Sequence, residues 1–176
     1  MMGYTGGTMA PRPNEDKNRP SPKKEITAGV IVFRRTHEGP KFLLLYHRGQ
    51  YWNFPKGHVE KEERSLDAAV RETCEETGLK KSDLRILYGF KEYERFTFRR
   101  VRERIFKVVI LYLAETRQPS IRIPTEQFQR ALGDNIQGYA WFLYPEAKKI
   151  LGRYKENLRV LERAHRFMEE RNKKPA

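Results

Sequence analysis

From Glu25 onward, apolar and polar positions along the chain follow two rhythms, one of period two and one of helical period. The first two dozen residues, MMGYTGGTMAPRPNEDKNRPSPKK, hold four prolines and almost no large aliphatic side chains, and they read as a disordered arm, 1–24. Order is expected from Glu25. EITAGVIVF is a β-branched run, a Glu38-Gly39-Pro40 turn follows, and KFLLLYH gives a second strand. Between Ser65 and Thr77 the rhythm changes. Leu66, Ala69, Val70 and Thr73 recur at helical spacing, with Ser65 as N-cap, Asp67 near the positive N-terminal end and Gly78 placed to end the helix. Strand-like segments return over Leu84–Phe98 and Ile105–Glu115, joined by the basic turn RRVRER. The stretch from Thr116 to Asn135 is irregular, and Tyr139–Tyr144 reads as a short strand. From Pro145 the chain is expected to be helical, with Leu151, Tyr154, Leu158, Leu161 and Met168 on one face. Strands with helices to either side predict an α/β/α sandwich around a mixed sheet. The expected domain spans 25–152, with 153–176 an amphipathic helix packed on it and ending in a basic tail.

Composition adds a partner class. The formal net charge is +13 over 176 residues, which favours a polyanion: a nucleic acid, a membrane surface or a small phosphate ester. No stretch is apolar for long enough to span a bilayer, and the first residues lack the apolar core of a signal peptide. The single cysteine, Cys74, excludes an internal disulfide and suits a reducing compartment. A soluble, cytoplasmic, monomeric protein without membrane association is expected.

The chemistry concentrates in GHVEKEERSLDAAVRETCEETGL, residues 57–79. Glu72, Glu75 and Glu76 stand at i, i+3 and i+4, so a helix places all three on one face. Three carboxylates so close repel one another, and a divalent cation makes the cluster favourable. An all-oxygen donor set selects Mg²⁺, or Mn²⁺ in its place. Glu63, in the loop before the helix, is in reach of the cluster, and Arg71 can orient a carboxylate by charge-assisted hydrogen bonds. By itself an acidic helix face is more often a solvated surface than a site.

The spacing decides between those two readings. Gly57, five residues, Glu63, seven residues, Arg71-Glu72, then Glu75-Glu76, Gly78 and Leu79 resembles the Nudix box, with Thr73 a soft departure at its first apolar position. The resemblance implies an α/β/α sandwich with the box as loop–helix–loop. It implies metal binding by Glu72, Glu75, Glu76 and the Gly57 carbonyl, with Glu63 in support and Glu72 the first choice of general base. The run Trp52-Asn53-Phe54-Pro55-Lys56-Gly57-His58-Val59-Glu60 is similar to that of asymmetrical diadenosine tetraphosphate hydrolases. That similarity implies a small nucleoside polyphosphate as substrate, with Lys56, His58 and Arg48 as candidates for phosphate contact. Among the strand aromatics Tyr93, Phe96, Phe98 and Tyr112, Tyr93 and Tyr112 lead as base-stacking residues.

Two features pull the substrate elsewhere. The box carries a net charge of −4 and the rest of the chain +17. Arg95, Arg99, Arg100, Arg102, Arg104 and Lys107 cluster with Phe96, Phe98 and Phe106 on one predicted hairpin, which is either a solvated basic turn or a surface for RNA. The alternatives are therefore an RNA 5′-pyrophosphohydrolase, a hydrolase of diphosphoinositol polyphosphates, or an inactive nucleotide- or RNA-binding domain. The four intact glutamates speak against the last. Relatives also often carry a glutamate six residues before the Trp of a Y-x-W motif. Here Tyr139-Ala140-Trp141 is present, but the position is Asn135, leaving Asp134 or Glu126 as substitutes.

Overall fold

The computed structural model describes residues 21–126, 129 and 135–173. Eight strands form one mixed sheet: β1 (Lys23–Thr36), β2 (Gly39–His47), β3 (Tyr51–Asn53), β4 (Lys56–His58), β5 (Arg85–Ile86), β6 (Glu92–Arg100), β7 (Glu103–Glu115) and β8 (Ile136–Leu143). Among the described residues three α-helices cover it, α1 (Ser65–Thr77), α2 (Tyr144–Leu151) and α3 (Lys155–Lys173).

The strands β1 and β7 run parallel over the length of the sheet, from Lys23 opposite Ile105 to Phe33 opposite Glu115. Every other pairing is antiparallel. Both central strands are near-continuous apolar runs because both of their faces are buried. Alternation sorts those residues. Ile31, Phe33, Phe42, Leu44, Val109, Leu111 and Leu113 pack under α2 and α3. Ala28, Val30, Val32, Leu43, Leu45 and Ala114 pack under α1 with Ala68, Ala69 and Val70. The result is the expected α/β/α sandwich.

Along one edge, β1 is shared. Its first part pairs with β4 (Thr27–His58, Ala28–Gly57, Gly29–Lys56), and its last part pairs with β2. Only a glycine serves at Gly29, because a Cβ there would run into the Pro55 carbonyl and the Lys56 side chain.

Several boundaries differ from the sequence reading. The strand β1 begins at Lys23. The segment predicted as one strand over Leu84–Phe98 is broken into β5 and β6 by a turn in which Gly89 has φ 96°. Ser65 is the first helical residue of α1 and Arg64 its N-cap, without a side-chain cap; the Ser65 hydroxyl instead lies 2.7 Å from that of Tyr112. Gly78 does end α1 in the left-handed region, at φ 68°. The C-terminal helical segment is interrupted at Gly152–Tyr154, so Tyr154 lies between helices, partly exposed, and the buried stripe of α3 is Asn157, Val160, Leu161, Ala164 and Met168.

Candidate active site

The helix α1 brings its charged residues to β4 on one side and to the loop before it on the other. Arg71 is the hub. Its Nε and Nη2 donate to the two oxygens of Glu63 at 2.9 Å each, its Nη1 donates to Glu72 at 2.9 Å and Glu75 at 3.2 Å, and Nη2 also reaches the His58 carbonyl at 3.0 Å. The bidentate pair with Glu63 holds that carboxyl below the usual range, and Glu63 in turn raises the Arg71 guanidinium above its own. Glu63 also accepts from the Glu60 amide at 3.1 Å, which folds the loop back onto the helix. Glu76 is only 2% exposed and accepts the Lys56 amide at 2.9 Å. Glu72 lies against the Cα of Gly57, in the space a Cβ would fill.

The carboxylates of Glu63, Glu72 and Glu75 converge on a guanidinium; among the described residues no three His, Cys, Asp or Glu side chains surround one point. The donor set nevertheless fits a hard divalent cation. It consists of oxygen ligands only, one carboxylate is almost wholly desolvated, and the glycine in β4 lets a carboxylate approach the backbone.

Alternation in β4 links this cluster to a second feature on the other face of the sheet. Gly57 faces Glu72, whereas Lys56, one residue earlier, lines a cavity of about 390 Å³. That cavity is bounded by Tyr51–Asn53 of β3, Glu94 and Phe96 of β6, Lys107 and Val109 of β7, Tyr154 before α3 and residues 155–157 at its start. The side chain of Asn157 pins α3 there by donating to Asn53 Oδ1 at 2.9 Å. Lys107 is half-buried, and burial together with the neighbouring Lys56 pushes its ammonium pKa down. Glu94, 3% exposed, is raised to about 7 by burial, with Lys56 opposing.

A match to the NUDIX domain model covers residues 23–164. The chain belongs to the Nudix family. It is 36% identical over 149 residues to the mouse asymmetrical bis(5′-nucleosyl)-tetraphosphatase, covering 80% of this chain and 92% of that one; the rat enzyme is 35% identical over the same span. A shorter match, 36% over 80 residues, reaches the Arabidopsis thaliana mRNA-decapping enzyme subunit 2, covering 46% of this chain and 20% of that one. Among solved structures, the C. elegans Ap4A hydrolase in a binary complex superposes with a TM-score of 0.68 at 26% identity, covering 83% of this chain and 98% of that one. The protein is a Nudix hydrolase.

Not every residue singled out from the sequence meets this Nudix site. Glu63, Arg71, Glu72, Glu75, Glu76 and Gly57 come together, and Lys56 enters the adjoining cavity. His58 is exposed at the end of β4, with its carbonyl tied to Arg71. Tyr93 and Tyr112 do not reach the cavity. Tyr112 is 8% exposed and packs under α1, and Lys91 sits over both rings at 5.5 and 5.6 Å. Phe96 is the β6 aromatic in the cavity, and it is 40% exposed. Arg48 lines a separate depression with Glu126 and Asn135. Asn135, at the position where a further glutamate was sought, contacts the buried His47 ring nitrogen Nδ1 at 3.2 Å; Asp134 lies outside the described residues. Glu94, not singled out from the sequence, and Lys107, read there as part of the basic hairpin, both line the cavity, as period-two alternation through Phe96 and its partner strand requires. No helix among the described residues is long and apolar enough to cross a membrane.

Proposed function

We propose that this enzyme hydrolyses dinucleoside polyphosphates, diadenosine tetraphosphate among them, to ATP and AMP by attack of water on phosphorus, with Mg²⁺ as its metal and Mn²⁺ as a substitute. The reading carries with it a cytoplasmic, monomeric enzyme. It is supported above all by the two-sided use of β4, which joins a carboxylate cluster through Gly57 to a cation-lined aromatic cavity through Lys56. The identity to tetraphosphatases over nearly their full length supports the substrate class.

Glu72, Glu75, Glu76 and the Gly57 carbonyl would hold the metal, which supplies charge neutralisation of the phosphates and acidification of water. Arg71 gathers the carboxylates and fixes their orientation, with Glu63 as its anchor. Glu72 accepts the proton of the attacking water. Lys56 and Lys107 hold the phosphate chain as point charges, and Phe96 offers a face to a base. Incubation with diadenosine tetraphosphate, with and without Mg²⁺, tests this. ATP and AMP are expected, and Glu76→Gln is expected to abolish them; no turnover in Mg²⁺ or Mn²⁺ refutes the proposal.

A second reading, removal of pyrophosphate from 5′-triphosphate RNA, is favoured by one observation. Lys23, Arg99, Arg102 and Arg104 line an open groove of about 860 Å³ on the β6–β7 hairpin. Turnover of such RNA, with affinity that falls steeply with salt, would select it.

A further inference from the structure

Glu94 is buried without a partner for its Oε1, yet it lines the cavity. Its neighbour on the same face of β6, Glu92, is matched by Arg163 of α3 at 2.7 Å. Arg159 of α3, one turn beyond the cavity-lining residues 155–157, is engaged by Glu156 at 2.6 Å and the Tyr93 carbonyl at 3.4 Å. An unmatched buried acceptor is unfavourable, and a hydrogen-bond donor brought by a ligand removes that cost. The cavity is large enough for a nucleoside, and the ring of Phe96 stands beside Glu94 on the same strand face, two residues on.

We propose that Glu94 is a specificity-determining residue that reads the hydrogen-bonding edge of a purine stacked on Phe96, pairing with guanine as a carboxylate and with adenine as a carboxylic acid. The inference rests on the reading of this cleft as a nucleotide site. A carboxylate offers acceptors only, which match the N1–H and 2-amino donors of guanine. A carboxylic acid offers one donor and one acceptor, which match N1 and the 6-amino group of adenine.

The surroundings put both forms within reach near neutral pH. Desolvation raises the Glu94 carboxyl, Lys56 of β4 opposes it, and the smaller effects of Glu156 (raising) and Arg159 (lowering) of α3 leave it at about 7. Lys107 of β7 and Lys155 of α3 are the other charged groups lining the cavity. Adenine is therefore favoured on the acid side of neutrality and guanine on the alkaline side.

The test is calorimetric binding of AMP and GMP to the Mg²⁺-free protein at about pH 6 and about pH 8. In the wild type the ratio of GMP to AMP affinity should rise by at least about tenfold between the two, as expected when a group titrating near 7 exchanges its role. In Glu94→Gln, which cannot titrate, the ratio should be flat, with folding of the variant checked by its melting transition. A flat ratio in the wild type overturns the proposal, and so does an equal pH dependence in Glu94→Gln. Because binding is read without turnover, failure of diadenosine tetraphosphate hydrolysis would reject the proposed reaction and leave this result to be judged separately.

Discussion

The carboxylate of Glu72 occupies the space that a Cβ on Gly57 would need. The clash falls on the far end of a flexible side chain, so a Gly57→Ala protein can fold by swinging Glu72 away. It is expected to melt within a few degrees of the wild type and to lose on the order of 10²-fold in kcat, since displacement of a positioned group by about 1 Å is enough for such a loss. Gly29 is the useful contrast. A Cβ there meets backbone, the Pro55 carbonyl, which cannot move without dislodging the loop between β3 and β4. Gly29→Ala should lower stability by about 1–3 kcal/mol. Melting curves and steady-state kinetics on the two variants separate the effects; equal stability losses would refute the distinction.

Arg71 holds three carboxylates and a carbonyl at once. A lysine keeps the charge but lacks the planar fork that spans Glu63 and still reaches Glu72 and Glu75. Arg71→Lys should therefore reduce kcat by roughly 10–100-fold, the range for loss of a group that orients metal ligands, with a smaller effect on KM. Unchanged kcat would mean that the carboxylates keep their positions without the hub.

His47 supplies an acid-sensitive point away from the carboxylates. Burial, with Lys56 adding repulsion, lowers its pKa to about 4. The unfolded chain takes up this proton from about pH 6.5 downward and the folded chain only near 4, so its contribution is full above 6.5 and is lost as pH falls through that window. The loss amounts to about 3 kcal/mol at full extent. Denaturant unfolding of both proteins at several pH values should show His47→Gln gaining stability relative to the wild type as pH falls through that window.

Much of this was legible in the sequence because it depends on local spacing. The glutamates of α1, its glycine terminator and the return of Glu63 all follow from intervals within the 57–79 segment. What spacing alone does not give depends on strand parity and on packing from afar. Residue 93 lies on the opposite face of β6 from Glu94 and Phe96, and Tyr112 packs under α1, so neither phenol lines the cavity beside Lys56. The break at Gly152–Tyr154 was hidden because the apolar three- and four-residue steps continue across it, while the helix itself stops and restarts as Asn157 bonds to Asn53.

Glu94 should be a stability liability with the opposite sign to His47. Its folded pKa, about 7, lies above the 4.5 of an ordinary glutamate. Between those values the folded chain binds more proton than the unfolded one, so stability is greatest at the acid end and falls as pH rises, by about 3 kcal/mol once pH passes 7. The two residues therefore nearly offset each other between about 4.5 and 6.5, and neither slope is visible in the wild type alone. Substitution exposes them. Glu94→Gln should match the wild type near pH 4.5 and exceed it near pH 8, whereas His47→Gln should gain only on the acid side. Denaturant midpoints for both variants across this range decide the matter. A Glu94→Gln protein no more stable than the wild type near pH 8 would mean that Glu94 is not carrying a desolvated charge.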